Sequence, residues 1–215
     1  LPRGSSQCEY PCGDINVNML PTMEGMEFRR TPPEQRRAEC ERRVRRHWLW
    51  LQTEHGYDRC RIARISPIIG VREGRRLVGR QVLTENDVWL GVSGQPNAER
   101  VIALCDHALD VHGEGGYCSE LQEPYGVPWE CLLPQEFDNL AVACRGAGFS
   151  QIAASSCRLS RVMMELGHGA GLAVAAALQD DAILPDADVQ RVRAWLSEEN
   201  VALEPEDDRF PPPES

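Results

Sequence analysis

Three groups of residues have types and spacings that could do chemistry. Asp110 and His112 stand two positions apart, so on a strand they share one face. An imidazole on such a face can take and return a proton, with the carboxylate beside it. A plain polar strand face at a loop explains the same pair. The second group is Gly167, Gly169, Ala170 and Gly171, inside a stretch with helical apolar spacing. An interior glycine costs about 1 kcal/mol of helix stability relative to alanine. Three so close together imply that something approaches the backbone there, either another element or a ligand. The third group is arginine, which accounts for all 23 basic residues. Guanidinium suits bidentate anion recognition, although a general avoidance of lysine would give the same composition.

The nine cysteines are Cys8, Cys12, Cys40, Cys60, Cys105, Cys118, Cys131, Cys144 and Cys157. The number is odd and there is no Cys-x-x-Cys, which argues against a disulfide framework and for a reducing, cytoplasmic setting. Cys8 and Cys12 have a metal-like spacing, but no second pair follows, and His112 with Cys118 does not complete a zinc set. No metal site is expected, and most of the thiols read as small buried hydrophobes.

The elements that must position these groups are only partly legible. The chain has 215 residues, 42% hydrophobic and 26% charged, the profile of a globular chain. No apolar run reaches the roughly 20 residues of a bilayer crossing. The net charge of −10 is unevenly divided: Arg29 to Arg80 carries 15 Arg against 6 acids, and the rest 8 Arg against 27. That segment permits an anion-facing or nucleic-acid surface. A solvated helix face is preferred, because no second basic motif or aromatic platform follows. Leu1 to Met26 reads as irregular chain, with a short strand near Ile15 to Val17. A helix after Thr31, with Thr31 as cap, carries a stripe of Cys40, Val44, Trp48 and Leu51. Strands are expected at Leu77 to Leu83, Val101 to Leu104 and Ala108 to Val111. Tyr125 to Trp129 should be extended or turned. Leu140 to Ala143 reads as a strand covered on both faces, as in a parallel sheet, followed by a loop from Gly146 to Ser156. Helices are then expected from about Leu159 to Leu178 and after Asp186, the latter burying Val189, Val192, Trp195 and Leu196.

Four blocks in order resemble the FAD-dependent oxidoreductase family. They are Gly70-Val71-Arg72-Glu73-x-Arg75-Arg76-x-Val78-Gly79 with Val82-Leu83-Thr84-Glu85-x-Asp87; Asp110-x-His112 with Val127-Pro128 and Leu132-Leu133-Pro134; Asp138-Asn139-Leu140-Ala141-Val142-Ala143-Cys144-Arg145; and Arg158 with Leu166-Gly167-His168-Gly169-Ala170-Gly171-Leu172-Ala173. Together they cover roughly residues 60 to 200. The sequence departs from the family at Cys144, where glycine is usual, and at His168-Gly169-Ala170, where Gln-Ala-Ala is usual.

The resemblance implies FAD as cofactor and hydride transfer between a small-molecule substrate and the flavin. It places Arg145, Arg158, Gly167, His168, Gly169, Ala170 and Gly171 near the flavin, where a helix start carries a partial positive charge of about 0.5. It places Arg72, Arg75, Arg76, Asp110 and His112 in the substrate region, with His112, Asp110 and Arg76 as the catalytic candidates. Structural ion pairing would account for Arg75 and Arg76 equally well, and tight helix–sheet packing for the glycines. The family's Gly-x-Gly-x-x-Gly is absent. The expected class is therefore α/β, a mixed α+β fragment: the C-terminal half of a two-domain flavoprotein. Residues 1–135 would be a partial substrate region, 136–200 the strand and helices completing the FAD domain, and 201–215 an acidic proline-rich tail. A separate chain or missing segment carrying the dinucleotide-binding fold is the expected partner, with no nucleic acid and no membrane. The alternative is a catalytically inactive remnant or partner-binding module.

Overall fold

The computed structural model describes residues 6–18, 20, 22–72, 74–112 and 116–205. Glu73 of the first block, residues 113–115 beside His112, and 206–215 of the acidic tail lie outside this set. The chain divides into two units, Leu1–Gly74 and Arg75–Ser215.

In the first unit β1 (Ser6–Glu9) and β2 (Ile15–Asn18) pair antiparallel, with Cys8 opposite Asn16. Then come α1 (Gly25–Arg30) and α2 (Pro33–Glu54). Proline opens α2, where a missing N–H removes no helical bond. Thr31 does not cap α2. Its hydroxyl donates to the Glu27 carbonyl at 2.9 Å and closes α1, while Pro32 holds the cap position without a side-chain bond. Of the predicted stripe, Cys40 and Leu51 are buried and Val44 and Trp48 half-buried. The arginines on the other faces are paired: Arg43 with Glu27 and Glu39, Arg42 with Glu39, Arg45 with Glu41.

The second unit begins with extended chain. Residues 77–83 do not form the expected strand. Their backbone bonds go to successive partners, Leu77 N–H to Gly146, Arg80 N–H to Leu133 and Leu83 N–H to Gly148, so no single ladder builds. Next is α3 (Glu85–Gly94), a helix the sequence reading missed. Its signal was Thr84-x-x-Asp87: the Thr84 N–H donates to the Asp87 carboxylate at 2.7 Å, and the Asp87 N–H to the Thr84 hydroxyl at 3.5 Å. Gly91 kinks this helix at φ 62°, with Glu123 standing where a β-carbon would be.

Four short strands follow: β3 (Val101–Cys105), β4 (Leu109–Asp110), β5 (Cys118–Ser119) and β6 (Tyr125–Pro128). β3 is buried along its whole length and pairs antiparallel with β6, Ala103 opposite Val127, after an irregularity at Val101. β4 pairs antiparallel with β5. The run Leu140 to Ala143 is not a strand. Leu140 is exposed, Ala141 to Ala143 are half-buried, and Val142 bonds back to the Leu132 carbonyl at 2.8 Å. The loop expected up to Ser156 instead contains α4 (Gln151–Ser156), capped by the Ser150 hydroxyl.

The long predicted helix is α5 (Ser160–Gln179), and the last is α6 (Val189–Glu198). Asp188, not Asp186, caps α6, accepting from the Arg191 N–H at 3.1 Å; Asp186 ends a preceding 3-10 turn. Val189, Val192 and Leu196 are buried as expected, with Trp195 half-buried against the same core. The fold is thus mixed α and β, with small antiparallel sheets beside helices. The named strand pairs are all antiparallel, so the parallel sheet inferred from residues 140–143 is absent among the described residues. No helix among them is long and apolar enough to cross a membrane.

Candidate active site

A small hairpin and a helix end bring the titratable residues together. The β4–β5 register sets Asp110 opposite Cys118, and the Val111 N–H continues the ladder to the Tyr117 carbonyl at 2.8 Å. Strand alternation carries His112 to the same face as Asp110. From the other side, α4 packs against β4 and ends at Ser156. The chain then turns through Cys157 and Arg158 into α5.

The Asp110 carboxylate is the meeting point. His112 Nε2 lies 2.9 Å from its Oδ1, and Arg158 Nη2 donates to its Oδ2 at 2.6 Å. Arg158 is itself anchored, its Nε donating to the Ser155 carbonyl at 2.8 Å. Its side chain is 15% exposed, against 26% for Asp110 and 29% for His112. The cluster is therefore reachable from solvent but not dissolved in it. Charge-assisted bonds at this depth are stronger and more directional than those on an open surface.

A buried polar network supports the turn before Arg158. Tyr125 donates to the Ser156 hydroxyl at 2.7 Å, and that hydroxyl donates to the His107 carbonyl. The Cys105 sulfur lies 3.8 Å from the same hydroxyl. The two thiols act on each other: Cys157 draws the Cys105 thiol beside it below the usual thiol range, while Cys105 and burial raise Cys157 well above it. Burial raises the Tyr125 phenol as well. Tyr125, Ser156 and Cys105 each have a partner, as buried polar atoms require. Nothing in the spacing of Tyr125, His107 and Ser156 announces the network; it exists because β3, β6 and α4 converge.

The glycine-rich stretch of α5 is split between two faces. Gly169 is buried, and a β-carbon there would stand 3.1 Å from Ile102 of β3, so its role in the fold is close helix–strand approach. Ala170 is buried beside it. Gly167 and Gly171 are exposed, and a β-carbon on either would meet nothing within 4 Å. His168 turns toward α6, its Nε2 lying 2.9 Å from Glu199 Oε2. Arg145 is exposed on the turn after residues 141–143, and Arg76 is half-buried in the extended chain one residue before Leu77. The Leu77–Gly146 bond, 2.7 Å long, runs between those two neighbourhoods.

A family model described as FAD dependent oxidoreductase matches residues 6–196. The chain belongs to this family. The match reaches back to residue 6, beyond the stretch from about residue 60 that carried the resemblance, and so takes in the first unit. No curated protein and no solved structure matches the chain. The cofactor of this flavoprotein is FAD. α5 starts after Leu159 with no side-chain cap, and Arg158, held by Asp110 and the Ser155 carbonyl, stands immediately before it. Amide donors and a fixed cation suit the anionic edge of a reduced flavin.

Proposed function

We propose that this protein is an oxidoreductase that moves a hydride between a small-molecule substrate and FAD, with His112 handling the accompanying proton. The observation that carries this reading is the Asp110 carboxylate shared by His112 and Arg158. Bound FAD supplies the hydride acceptor. His112 takes the proton from the substrate's hydroxyl or amine as its C–H hydrogen leaves as hydride, so charge does not accumulate on the oxidised carbon. Asp110 orients the imidazole, and Arg158 serves the substrate side by holding Asp110. Arg76 binds the substrate. Arg145 and the open face of α5 at Gly167 and Gly171 stand toward the flavin. His168, Gly169 and Ala170 set the helix against α6 and β3.

The test is anaerobic mixing of FAD-loaded protein with a panel of alcohols, amines and hydroxy acids, read as loss of the flavin's visible absorbance. One substrate class should bleach the wild type, and His112→Gln should bleach far more slowly while still holding FAD. Equal bleaching by wild type and His112→Gln would remove the acid–base role. A second reading is favoured by the lack of Gly-x-Gly-x-x-Gly and by the antiparallel strand pairs: the nucleotide end of FAD is gripped by a partner chain. In that case FAD binds tightly only on co-expression with a chain carrying the dinucleotide fold.

A further inference from the structure

We infer that Arg158 is a positioning residue: by holding Oδ2 of Asp110 it keeps Oδ1 on His112 Nε2, so that neutral His112 carries its proton on Nε2 and exchanges the substrate's proton at Nδ1. The assignment of Nδ1 to the substrate rests on the oxidoreductase reading above; the tautomer itself does not.

An ionised carboxylate only accepts hydrogen bonds. A ring nitrogen 2.9 Å from Asp110 Oδ1 faces a group that can only accept, which favours a hydrogen on that nitrogen; in a neutral imidazole the lone pair is then on the other nitrogen. A carboxylate free to rotate would hold this arrangement loosely. Asp110 is not free, since Arg158 takes its second oxygen at 2.6 Å. Nor is Arg158 free. Its Nε is tied to the carbonyl of Ser155, the residue just before Ser156, whose hydroxyl Tyr125 holds. Rigidity thus passes from the buried Tyr125–Ser156 pair to the guanidinium, then to the carboxylate, then to the ring. Guanidinium has donors and no acceptor, so it dictates which way any group at position 110 must face.

That last point gives a test with a sign. In Asp110→Asn the new amide must turn its oxygen to Arg158. Its NH2 then faces His112, whose Nε2 can only accept, and the proton moves to Nδ1. The measurement is side-chain 15N NMR of the resting full chain, with the His112 signals assigned by their loss in His112→Gln. The wild type should show the Nε2–H tautomer in excess, Asp110→Asn should invert it, and Arg158→Gln should reduce the excess severalfold. Arg158→Lys should restore part of it, because an ammonium still donates to Oδ2. An unchanged tautomer in both Asp110→Asn and Arg158→Gln would overturn the proposal, as would an Nδ1–H wild type. If Arg158→Gln does not fold, Asp110→Asn alone decides, since it keeps the shape of the side chain. Turnover is a separate readout: shifted tautomers with undiminished flavin bleaching in His112→Gln would leave the positioning intact and remove only the proton-transfer reading.

Discussion

Replacing each α5 glycine with alanine in turn separates close packing from close ligand approach. In a helix interior the exchange gains about 0.5–1 kcal/mol, because alanine restricts the unfolded chain and glycine does not. At Gly167 and Gly171 nothing lies within 4 Å of the new methyl, so the full gain should appear. For a chain of this length each kcal/mol raises the Tm by about 2–4 °C. At Gly169 the methyl would stand 3.1 Å from both the β-carbon and the carbonyl oxygen of Ile102. Strand β3 is buried throughout and cannot easily yield. Overpacking of this kind costs about 1–3 kcal/mol, which offsets the helical gain and leaves a net loss of up to about 2.5 kcal/mol. Calorimetry on the three variants should therefore give two raised Tm values and one lowered. FAD titration of the same proteins gives an independent answer. If the open face lies toward the flavin, the two variants stabilised as apoprotein should bind FAD more weakly than the wild type. A Gly169→Ala protein as stable as Gly167→Ala would refute the packing argument, and undiminished FAD affinity in Gly167→Ala and Gly171→Ala would refute the ligand argument.

Three further outcomes are expected. Tyr125→Phe removes the donor to the Ser156 hydroxyl in a fully buried setting and should cost about 1–3 kcal/mol by urea unfolding; a change near zero would mean the network does not brace the turn. Glu39 is held down to about 2 by hydrogen bonds from Arg42 and then Arg43. A group whose folded value is depressed stabilises above its ordinary value of 4.5 and loses that contribution as pH falls toward 2. Helicity of the first unit should thus decline over that window, and Glu39→Gln should flatten the decline. In a native thiol-labelling experiment read by peptide mass, exposed Cys8, Cys12, Cys118 and Cys144 should react quickly. Cys131, pushed up to about 12 by burial, should react only on unfolding.

Local rules recovered the elements whose signals are local. The helix over Ser160–Gln179 and the buried face of α6 follow from apolar spacing, and β3 from its unbroken run. The two strand errors share one cause, a run whose partners lie elsewhere in the chain. Leu140 to Ala143 has strand composition, yet no neighbour offers it a ladder. Leu77 to Leu83 is extended but shares its bonds among Gly146, Leu133 and Gly148. The Thr84–Asp87 box is a local signal for α3 and needs no partner elsewhere in the chain. Asp186 and Asp188 are both plausible caps, and only backbone geometry chooses between them.

The site shows the same division at a finer scale. Asp110 and His112 were visible as a pair, since strand alternation is a property of two neighbouring residues. Arg158 stands in a family-like block, and the resemblance places it near the flavin. Its actual partner is 48 residues away, and the contact requires the β4–β5 hairpin, the C-terminal end of α4 and the turn at Cys157 to meet at once. No window of sequence contains those three conditions. An arginine just before the first turn of a helix suits an anionic cofactor edge on electrostatic grounds, and the same charge 2.6 Å from Asp110 is committed to a carboxylate first. Whatever Arg158 contributes to flavin binding is therefore coupled to the orientation of His112. Loss of the Asp110 charge should alter both, whereas loss of the imidazole alone should alter only proton transfer.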